Sequence, residues 1–207
     1  MSSSVAVLKP RKQPVQARSS ASVEAILDAT LQVLLNVGKE RLTTTRVAMR
    51  AGVSVGTLYQ YFPNKSALLQ AALRRHLEST RNAVARVAES LKGALVEEMM
   101  SELAGAFLAA KIREPKTSVA LYAVSADVDG FSVAREISDE MQGTVVALLK
   151  TAKGVAEPHD VASVLLGAIG GVSRRLVESK DPERSYPAFR RELDAMVRGY
   201  AARVRSG

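Results

Sequence analysis

The sequence contains no cysteine and no tryptophan, and its aromatic side chains are limited to four phenylalanines and five tyrosines. Without cysteine the chain can form neither a disulfide framework nor a thiolate metal site, which is compatible with a reducing compartment. The most apolar stretch, 161–172, is shorter than the roughly 18 residues that a membrane span needs. Residues 1–10 lack the apolar core of a signal peptide. We therefore expect a cytoplasmic protein with no membrane partner.

Groups that carry enzyme chemistry are also scarce. We find no nucleophile–base–acid set, no phosphate-cradling glycine loop and no metal-ligand spacing. The two histidines, His76 and His159, are far apart in the sequence. Residues 127–130 resemble only the start of a calcium loop, because the later ligand positions do not match, and we predict a turn there. The sequence therefore favours a protein that is not an enzyme and that uses no metal or cofactor.

Basic residues are concentrated near the beginning of the chain. The net charge is +8, and residues 1–65 hold nine Lys or Arg side chains against three acidic ones. A basic excess of this kind is what a phosphate-facing surface needs. Residues 1–18 combine prolines, serines and scattered basic residues, and we predict a flexible basic arm there. A disordered leader with no specific role is the alternative for that segment.

No stretch alternates apolar and polar residues in the way that a half-buried β-strand does. Apolar residues instead recur at helical spacing along most of the chain, which predicts an all-α fold of about nine helices. The predicted helices cover 22–37, 44–51, 55–61, 65–88, 95–112, 118–128, 132–153, 158–179 and a last segment that opens at Pro187.

Residues 43–65 contain two short helical patterns that meet at Gly52. Glycine takes a left-handed turn without a Cβ penalty, so the first helix can end there. Ser54 is a good N-cap for the second helix. Leu58 and Phe62 share one face, one turn apart, and can pack back on the first helix. This pattern predicts a helix-turn-helix.

The second helix leaves small, hydroxyl and amide side chains facing wholly or partly outward: Val55, Gly56, Thr57, Tyr59, Gln60 and Tyr61. A surface of this kind fits the major groove of DNA, which admits one helix. Thr43 and Thr44 stand at the N-terminus of the first helix, where free N–H groups and the helix dipole favour a phosphate. A plain helical hairpin inside a bundle is the alternative. The outward aromatic and amide side chains and the basic surroundings favour DNA binding.

The stretch resembles the DNA-binding domain of the TetR family of bacterial transcriptional regulators. The resemblance covers roughly residues 20–75 and is specific, because several residue types stand at fixed spacing. The residues that carry it are Ala51-Gly-Val-Ser54, Gly56-Thr-Leu-Tyr59, Tyr61-Phe62 and Asn64-Lys65 followed by Leu68-Leu69.

The resemblance implies three groups of DNA contacts. Thr43 and Thr44 would hold phosphates. Residues facing or close to base edges would be Thr45, Arg46, Val55, Gly56 and Thr57. Residues that fix the DNA backbone would be Tyr59, Gln60, Tyr61 and Lys65, with Gln60 able to reach a base. We expect direct readout of bases from the polar members Thr45, Arg46, Thr57 and Gln60.

The resemblance also implies the domain order. The arm at 1–18 would precede a DNA-binding domain at 19–65, whose helix-turn-helix spans about 43–62. Residues 66–207 would form a helical domain for ligand binding and dimerisation. A pocket for a small-molecule effector would be lined by Met99, Met100, Phe107, Tyr122, Phe131 and Met141. For each of these residues, filling of an ordinary core is the alternative.

The resemblance also implies a role for the last two long helices, which would form a four-helix interface with the same helices of a second copy. The expected interface residues are Val161, Val164, Leu165, Ala168, Ile169, Val172, Leu193, Met196, Val197 and Tyr200. Two subunits are needed to read two half-sites about one duplex turn apart. Burial in the core of a single chain is the alternative for this helix pair.

Together these observations predict a homodimeric transcriptional regulator that binds a pseudo-palindromic DNA operator. We expect a repressor that a small apolar or amphipathic molecule releases from the operator. The alternative function is a helical small-molecule-binding or interaction module without specific DNA binding.

Overall fold

The structure, a computed structural model, describes the backbone of residues 13–206 and the side chains of residues 19–205. Within these residues it contains nine α-helices, one short 3-10 turn and no β-strand, which confirms the all-α prediction. The helices are α1 Gln13–Arg41, α2 Thr44–Ala51, α3 Val55–Tyr61, α4 Lys65–Ser90, α5 Val96–Ile112, α6 Pro115–Val124, α7 Gly130–Leu149, α8 Pro158–Val177 and α9 Pro182–Ser206.

The chain divides into two compact units between Leu68 and Leu69, slightly after the domain boundary predicted at 65. The first unit holds α1, α2, α3 and the start of α4, and the second unit holds the remaining helices. Residues 1–12 of the predicted arm lie outside the described residues. Residues 13–18 belong to α1, so the helix begins earlier than the sequence pattern indicated.

The first helix, α1, supplies much of the core of the first unit. Its buried face includes Ile26, Leu27 and Leu34, and α1 packs on α2. Thr30 is also buried, and its Oγ1 donates a hydrogen bond to the carbonyl oxygen of Ile26 at 2.7 Å, so its polar group is satisfied. Gly38 has φ 76° and ψ 171°, a backbone conformation that is essentially restricted to glycine. The regular helix therefore ends at Gly38, directly after the predicted range 22–37.

One segment of α1, Ser19–Arg41, is long and apolar enough to cross a membrane by length and composition, with a mean hydropathy of 1.2. One such helix is weak evidence, because core helices of soluble domains pass the same test. Its fully buried residues lie on one side of the helix, which packs on α2. We therefore assign α1 to the core of the first unit.

The second helix, α2, begins and ends at the residues that its sequence predicts. Thr43 is the N-cap, and its Oγ1 accepts a hydrogen bond from the backbone N–H of Arg46 at 3.3 Å. Gly52 ends the helix in the left-handed conformation, with φ 69° and ψ 28°. Its N–H donates to the carbonyl oxygen of Met49 at 3.3 Å, which satisfies one carbonyl at the helix C-terminus.

The third helix, α3, is set by two side-chain caps. Ser54 Oγ accepts a hydrogen bond from the N–H of Thr57 at 2.9 Å and starts the helix. After Phe62, Asn64 Oδ1 accepts a hydrogen bond from the N–H of Ala67 at 2.8 Å and starts α4. Leu58 and Phe62 are both buried, as the one-turn spacing predicts. The helix-turn-helix prediction is thus confirmed at its turn and at both caps.

Leu58→Ala is expected to destabilise the first unit by about 2–5 kcal/mol, because Leu58 is fully buried and its removal leaves a cavity. Leu35→Ala is the matched control, since Leu35 on α1 is 45% exposed. We expect the control to change stability by less than about 1 kcal/mol. Urea denaturation followed by circular dichroism measures both variants. Equal losses for the two variants would contradict the assignment of Leu58 to the core.

In the second unit, α5 packs on α8 and α9, and α7 packs on α8. The largest fully buried side chains include Met99, Met100, Leu103, Leu108 and Leu165. A polar network joins α5 to α9, where Ser101 Oγ donates to Asp194 and the Asp194 carboxylate also accepts from Arg198 Nε at 2.9 Å. These hydrogen bonds hold the pKa of Asp194 below its ordinary value, chiefly through the Ser101 hydroxyl. The last helix is thereby anchored to the centre of the unit.

The start of α9 differs from the prediction. The helix begins at Pro182, and Pro187 lies inside it instead of opening it. Asp181 Oδ1 accepts a hydrogen bond from the N–H of Arg184 at 3.0 Å, so the Asp-Pro pair caps the helix and supplies its first residue. Pro187 has no backbone N–H, so it donates no helical hydrogen bond to the carbonyl of Glu183. Glu183 is exposed to water.

Candidate functional sites

The first candidate site is the outward surface of α2 and α3. Among the predicted DNA contacts, Val55 is 36% exposed and Tyr59 is 48% exposed. The other exposed members are Thr43, Thr45, Arg46, Gly56 and Gln60, and the half-buried members are Thr44, Thr57, Tyr61 and Lys65. The structure therefore brings these side chains together on the accessible side of one helix pair, where a duplex can reach most of them.

Two hydroxyl pairs fix the orientation of polar side chains on this surface. Thr44 Oγ1 lies 3.1 Å from Tyr59 Oη, which joins the first turn of α2 to α3. Ser54 Oγ lies 2.8 Å from Thr57 Oγ1 at the N-terminus of α3. Side chains held in one orientation lose less conformational entropy when they bind a partner. The surface is thus partly organised before any ligand arrives.

The surface is held in place by a hydrogen bond that the sequence did not reveal. Arg50 Nε donates to Gln32 Oε1 at 2.6 Å and joins α2 to α1. The two residues are far apart in sequence, and no local motif marks the pair. Arg46, in contrast, is exposed near the N-terminus of α2, which carries no acidic residue in its first turn.

Lys65 has a structural partner in addition to its predicted role. Its Nζ donates a hydrogen bond to the carbonyl oxygen of Lys39 at 2.6 Å, and the side chain is half-buried. A cation at this carbonyl stabilises the C-terminal turn of α1. Lys65 therefore helps to hold the helices of the first unit together, and a contact with DNA would have to share its ammonium group.

The second candidate site is a cavity of about 250 Å³ among α4, α5, α6, α7 and α8 of the second unit. Three of the predicted pocket residues line it: Phe107, Tyr122 and Met141. The three other residues predicted for the pocket do not line this cavity. Met99 and Met100 are fully buried in the core, where apolar packing takes them, and Phe131 is 75% exposed near the start of α7.

The charged residue on the cavity wall is Lys111, which the sequence reading missed. Lys111 is only 4% exposed. Its Nζ lies 5.8 Å from the ring centre of Phe107 and 5.5 Å from that of Tyr122, which are cation–π distances. The available signal was its spacing: Lys111 follows Phe107 by four positions, so both lie on one face of α5.

Near Lys111, His76 is half-buried, and its Nε2 lies 2.8 Å from Ser118 Oγ. Burial, together with the smaller effect of the positive charges of Lys111 and Arg75, lowers the pKa of His76 to about 4. His76 is therefore neutral at physiological pH.

The third candidate site is the outward face of α8 and α9. Five of the predicted interface residues are buried in the core of their own unit: Val161, Leu165, Ile169, Leu193 and Val197. Val164 is 54% exposed and Met196 is 45% exposed, while Ala168, Val172 and Tyr200 are half-buried. The exposed face of α8 also contains Gly167 and Gly171.

A shallow apolar groove of about 340 Å³ continues this face between α8 and α9. It is lined by Val172, Ala188, Phe189, Leu193, Met196 and the stem of Glu192. Small and apolar residues on two adjacent helices allow the backbone of another helix to approach closely. The face is therefore suited to helix packing against another chain.

Comparisons with known proteins bear on both units. The family model described as "Bacterial regulatory proteins, tetR family" matches residues 26–72. A model described as "Tetracyclin repressor-like, C-terminal domain" matches residues 96–200.

A curated relative is similar over part of the chain. The "HTH-type transcriptional regulator BetI" of Escherichia coli is 34% identical over 80 residues, which are 39% of this chain and 41% of that protein. The match thus spans less than half the length of these curated relatives.

Two solved structures share the fold over most of the chain. A TetR-family regulator from Mesorhizobium loti is 19% identical with a TM-score of 0.77, covering 89% of this chain and 97% of that chain. A transcriptional regulator from Rhodococcus sp. Rha1 is 20% identical with a TM-score of 0.68, covering 88% and 96%. At these identities the likeness concerns the fold alone.

Proposed function

Because the chain belongs to the TetR family of bacterial regulatory proteins, we propose that it regulates transcription as a homodimer bound to a pseudo-palindromic DNA operator. The proposal includes repression that ends when a small molecule occupies the cavity of the second unit, and a location in the cytoplasm. The observation that most directly supports this proposal is the exposed surface of the helix-turn-helix, which presents hydroxyl, amide and cationic side chains.

The contacts on this surface divide into two kinds. Phosphate contacts position a protein on DNA, whereas contacts to base edges select a sequence. Thr43 and Thr44, at the N-terminus of α2, are suited to phosphates because free N–H groups lie beside them. Gln60 on α3 is exposed, and an amide of this kind can form two hydrogen bonds with an adenine edge.

The proposed dimer follows from the geometry of the DNA that the helix-turn-helix has to contact. Two recognition helices have to enter successive major grooves on one side of the duplex, which requires two subunits related by a two-fold axis. The α8–α9 face supports this proposal, because it exposes Val164, Met196 and the glycines of α8 to solvent. The residues that would meet the partner are these exposed ones and the half-buried Ala168, Val172 and Tyr200.

Release by a ligand requires a difference in affinity between two states of the dimer. The ligand must bind more tightly to a state whose two α3 helices no longer match successive grooves. The cavity supports this step, because it is bordered by α8, the helix that also carries part of the proposed dimer face. The same cavity favours the alternative function, a small-molecule-binding module whose helix-turn-helix selects no DNA sequence.

Two substitutions on α3 test the division of contacts. Tyr59→Phe removes the hydroxyl that pairs with Thr44 Oγ1, and we expect it to weaken binding to all DNA sequences alike, by about three- to tenfold. Gln60→Ala is expected to change the preferred sequence, with a loss of about 1–3 kcal/mol at one base position. Gel-shift titrations against a set of duplexes measure both effects. Unchanged binding by both variants would reject this surface as the DNA interface.

A further inference from the structure

We propose that the cavity of the second unit binds a small monocarboxylate with an apolar body, and that the carboxylate pairs with the ammonium group of Lys111. This inference rests on the proposed function, because it names the chemical class of the effector. It is carried by the position of Lys111 and by the chemistry of the cavity wall.

Lys111 is a cation in an apolar setting. Only 4% of its surface is exposed. Its Nζ has two aromatic rings as neighbours, and no carboxylate among the described residues lies within ion-pair distance of it. A buried ammonium group loses most of its hydration, and ring faces compensate for only part of that loss. A carboxylate provides both the opposite charge and hydrogen-bond acceptors in the same place.

The other lining residues favour one negative charge and no more. Apart from Lys111, all the residues on the wall are uncharged: Leu77, Thr80, Phe107, Tyr122, Ala134, Ile137, Ser138, Met141, Leu166, Gly170 and Ser173. A dianion such as a phosphate monoester would retain an unpaired charge among these residues, which is costly in a low-dielectric site. A zwitterion would place a second cation near Lys111. A monocarboxylate pairs its single negative charge with the Lys111 ammonium group, so that neither of these two charges is left unpaired.

The size and polarity of the cavity limit the rest of the molecule. The volume of about 250 Å³ corresponds to roughly eight water molecules at liquid density. Leu77, Ile137, Met141 and Leu166 provide an apolar surface for a short alkyl chain or one ring. Ser138 and Tyr122 also line the cavity, and their hydroxyl groups can donate hydrogen bonds to a carboxylate. An acid with about ten non-hydrogen atoms therefore suits the site.

Two matched pairs of probes test the inference by isothermal titration calorimetry in the absence of DNA. Octanoate is compared with octanamide, and phenylacetate with phenylacetamide, so that each pair differs in charge and not in size. The native protein is expected to bind at least one acid about ten- to a hundredfold more tightly than its amide. Native protein that binds neither acid, or that binds acid and amide equally, contradicts the inference.

Variants assign the charge preference to one side chain. Lys111→Met keeps the length of the side chain and is expected to remove the preference for the acid, so that acid and amide bind alike. Lys111→Arg keeps the cation and is expected to retain most of the preference. Lys150→Met, at an exposed position at the end of α7, is the matched control and should behave like the native protein. A charge preference that survives in Lys111→Met overturns the assignment.

A second readout separates a charge effect from a loss of folding. His76 senses the charge of Lys111, which contributes to lowering the pKa of that imidazole to about 4. A bound carboxylate offsets this positive charge, so the pKa of His76 should rise when octanoate or phenylacetate binds and should stay unchanged with the amides. Proton NMR follows this titration, and His159→Gln identifies which of the two histidine signals is that of His76. An unchanged His76 titration with a bound acid contradicts pairing at Lys111.

Failure of this inference is distinguishable from failure of the proposed function. If an acid binds at Lys111 but the affinity for DNA does not change, the effector role fails and the carboxylate site stands. If neither acid binds and a neutral compound releases the DNA, the carboxylate site fails and ligand-controlled repression stands.

Discussion

Gly171→Glu is expected to convert the dimer into a monomer and to lower the affinity for operator DNA by roughly a hundredfold or more. Gly171 lies on the exposed face of α8, where the proposed two-fold partner packs. In a two-fold interface the substitution places a carboxylate on both sides of the contact. Each carboxylate would lose hydration without gaining a partner, which typically costs about 2–5 kcal/mol.

The single subunit should tolerate this substitution. A Cβ at Gly171 meets no atom within 4 Å beyond its chain neighbours and the nearby backbone of its own helix, and glutamate is a better helix former than glycine by less than about 1 kcal/mol. Gly143→Glu is the matched control, because Gly143 is also exposed, helical and open around its Cβ, but lies on α7. Sedimentation equilibrium gives the oligomeric state, and circular dichroism gives the folded fraction. A Gly171→Glu protein that remains a dimer with native affinity for DNA would refute the α8–α9 interface.

The second large effect is expected for Arg46→Glu, which should lower the affinity for operator DNA by about a thousandfold in the dimer. Arg46 is exposed near the N-terminus of α2, next to the residues that would hold phosphates. Each subunit would lose one cationic contact with DNA and gain a charge that repels the duplex. Since the dimer carries two copies, the salt dependence of binding should also become less steep, by a slope of about two.

The control for Arg46→Glu separates local contact from net charge. Arg86→Glu changes the charge of the protein by the same amount at an exposed position on α4. We expect this control to reduce affinity by less than about tenfold, since charges beyond a Debye length are largely screened. Fluorescence anisotropy at two salt concentrations measures both variants. Equal losses of DNA affinity for the two variants would show that Arg46 contributes only through the net charge of the protein and not through a local contact.

The helix-turn-helix could be predicted from sequence because local chemistry determines it. Thr43 and Ser54 cap their helices with their own side chains, and Gly52 adopts the left-handed conformation that its residue type allows. Each of these features acts within a few residues of the chain. The bounds of α2 and α3 therefore agree with the prediction, while the early start of α1 at Gln13 has no comparable local signal.

The second unit was harder to predict, because its helices are apolar on more than one side. Periodicity places Val161, Val164 and Leu165 on an apolar stretch but does not say which side meets its own core. Packing of α8 against α5 and α7 buries Val161 and Leu165 and leaves Val164 exposed. Tertiary packing therefore determines which side of α8 is buried, and the periodicity of the sequence does not encode it.

Lys111 shows a different limit of the sequence. A lysine near the end of a helix is usually solvent-exposed and interacts favourably with the helix dipole, so its residue type gave no reason to place it inside. The helices around the C-terminal end of α5 bury it instead, beside Phe107 and Tyr122. The last helix starts at the Asp181-Pro182 pair, before the opening predicted at Pro187, because Asp-Pro occurs both in loops and at capped helix starts.

The most direct test of DNA recognition is selection of bound duplexes from a random-sequence library, followed by sequencing of the bound fraction. The account predicts enrichment of one pseudo-palindromic site whose half-sites are centred about one helical turn, 10–10.5 base pairs, or a multiple of it apart. A bound fraction with no sequence preference over the starting library would contradict the claim that α3 reads DNA.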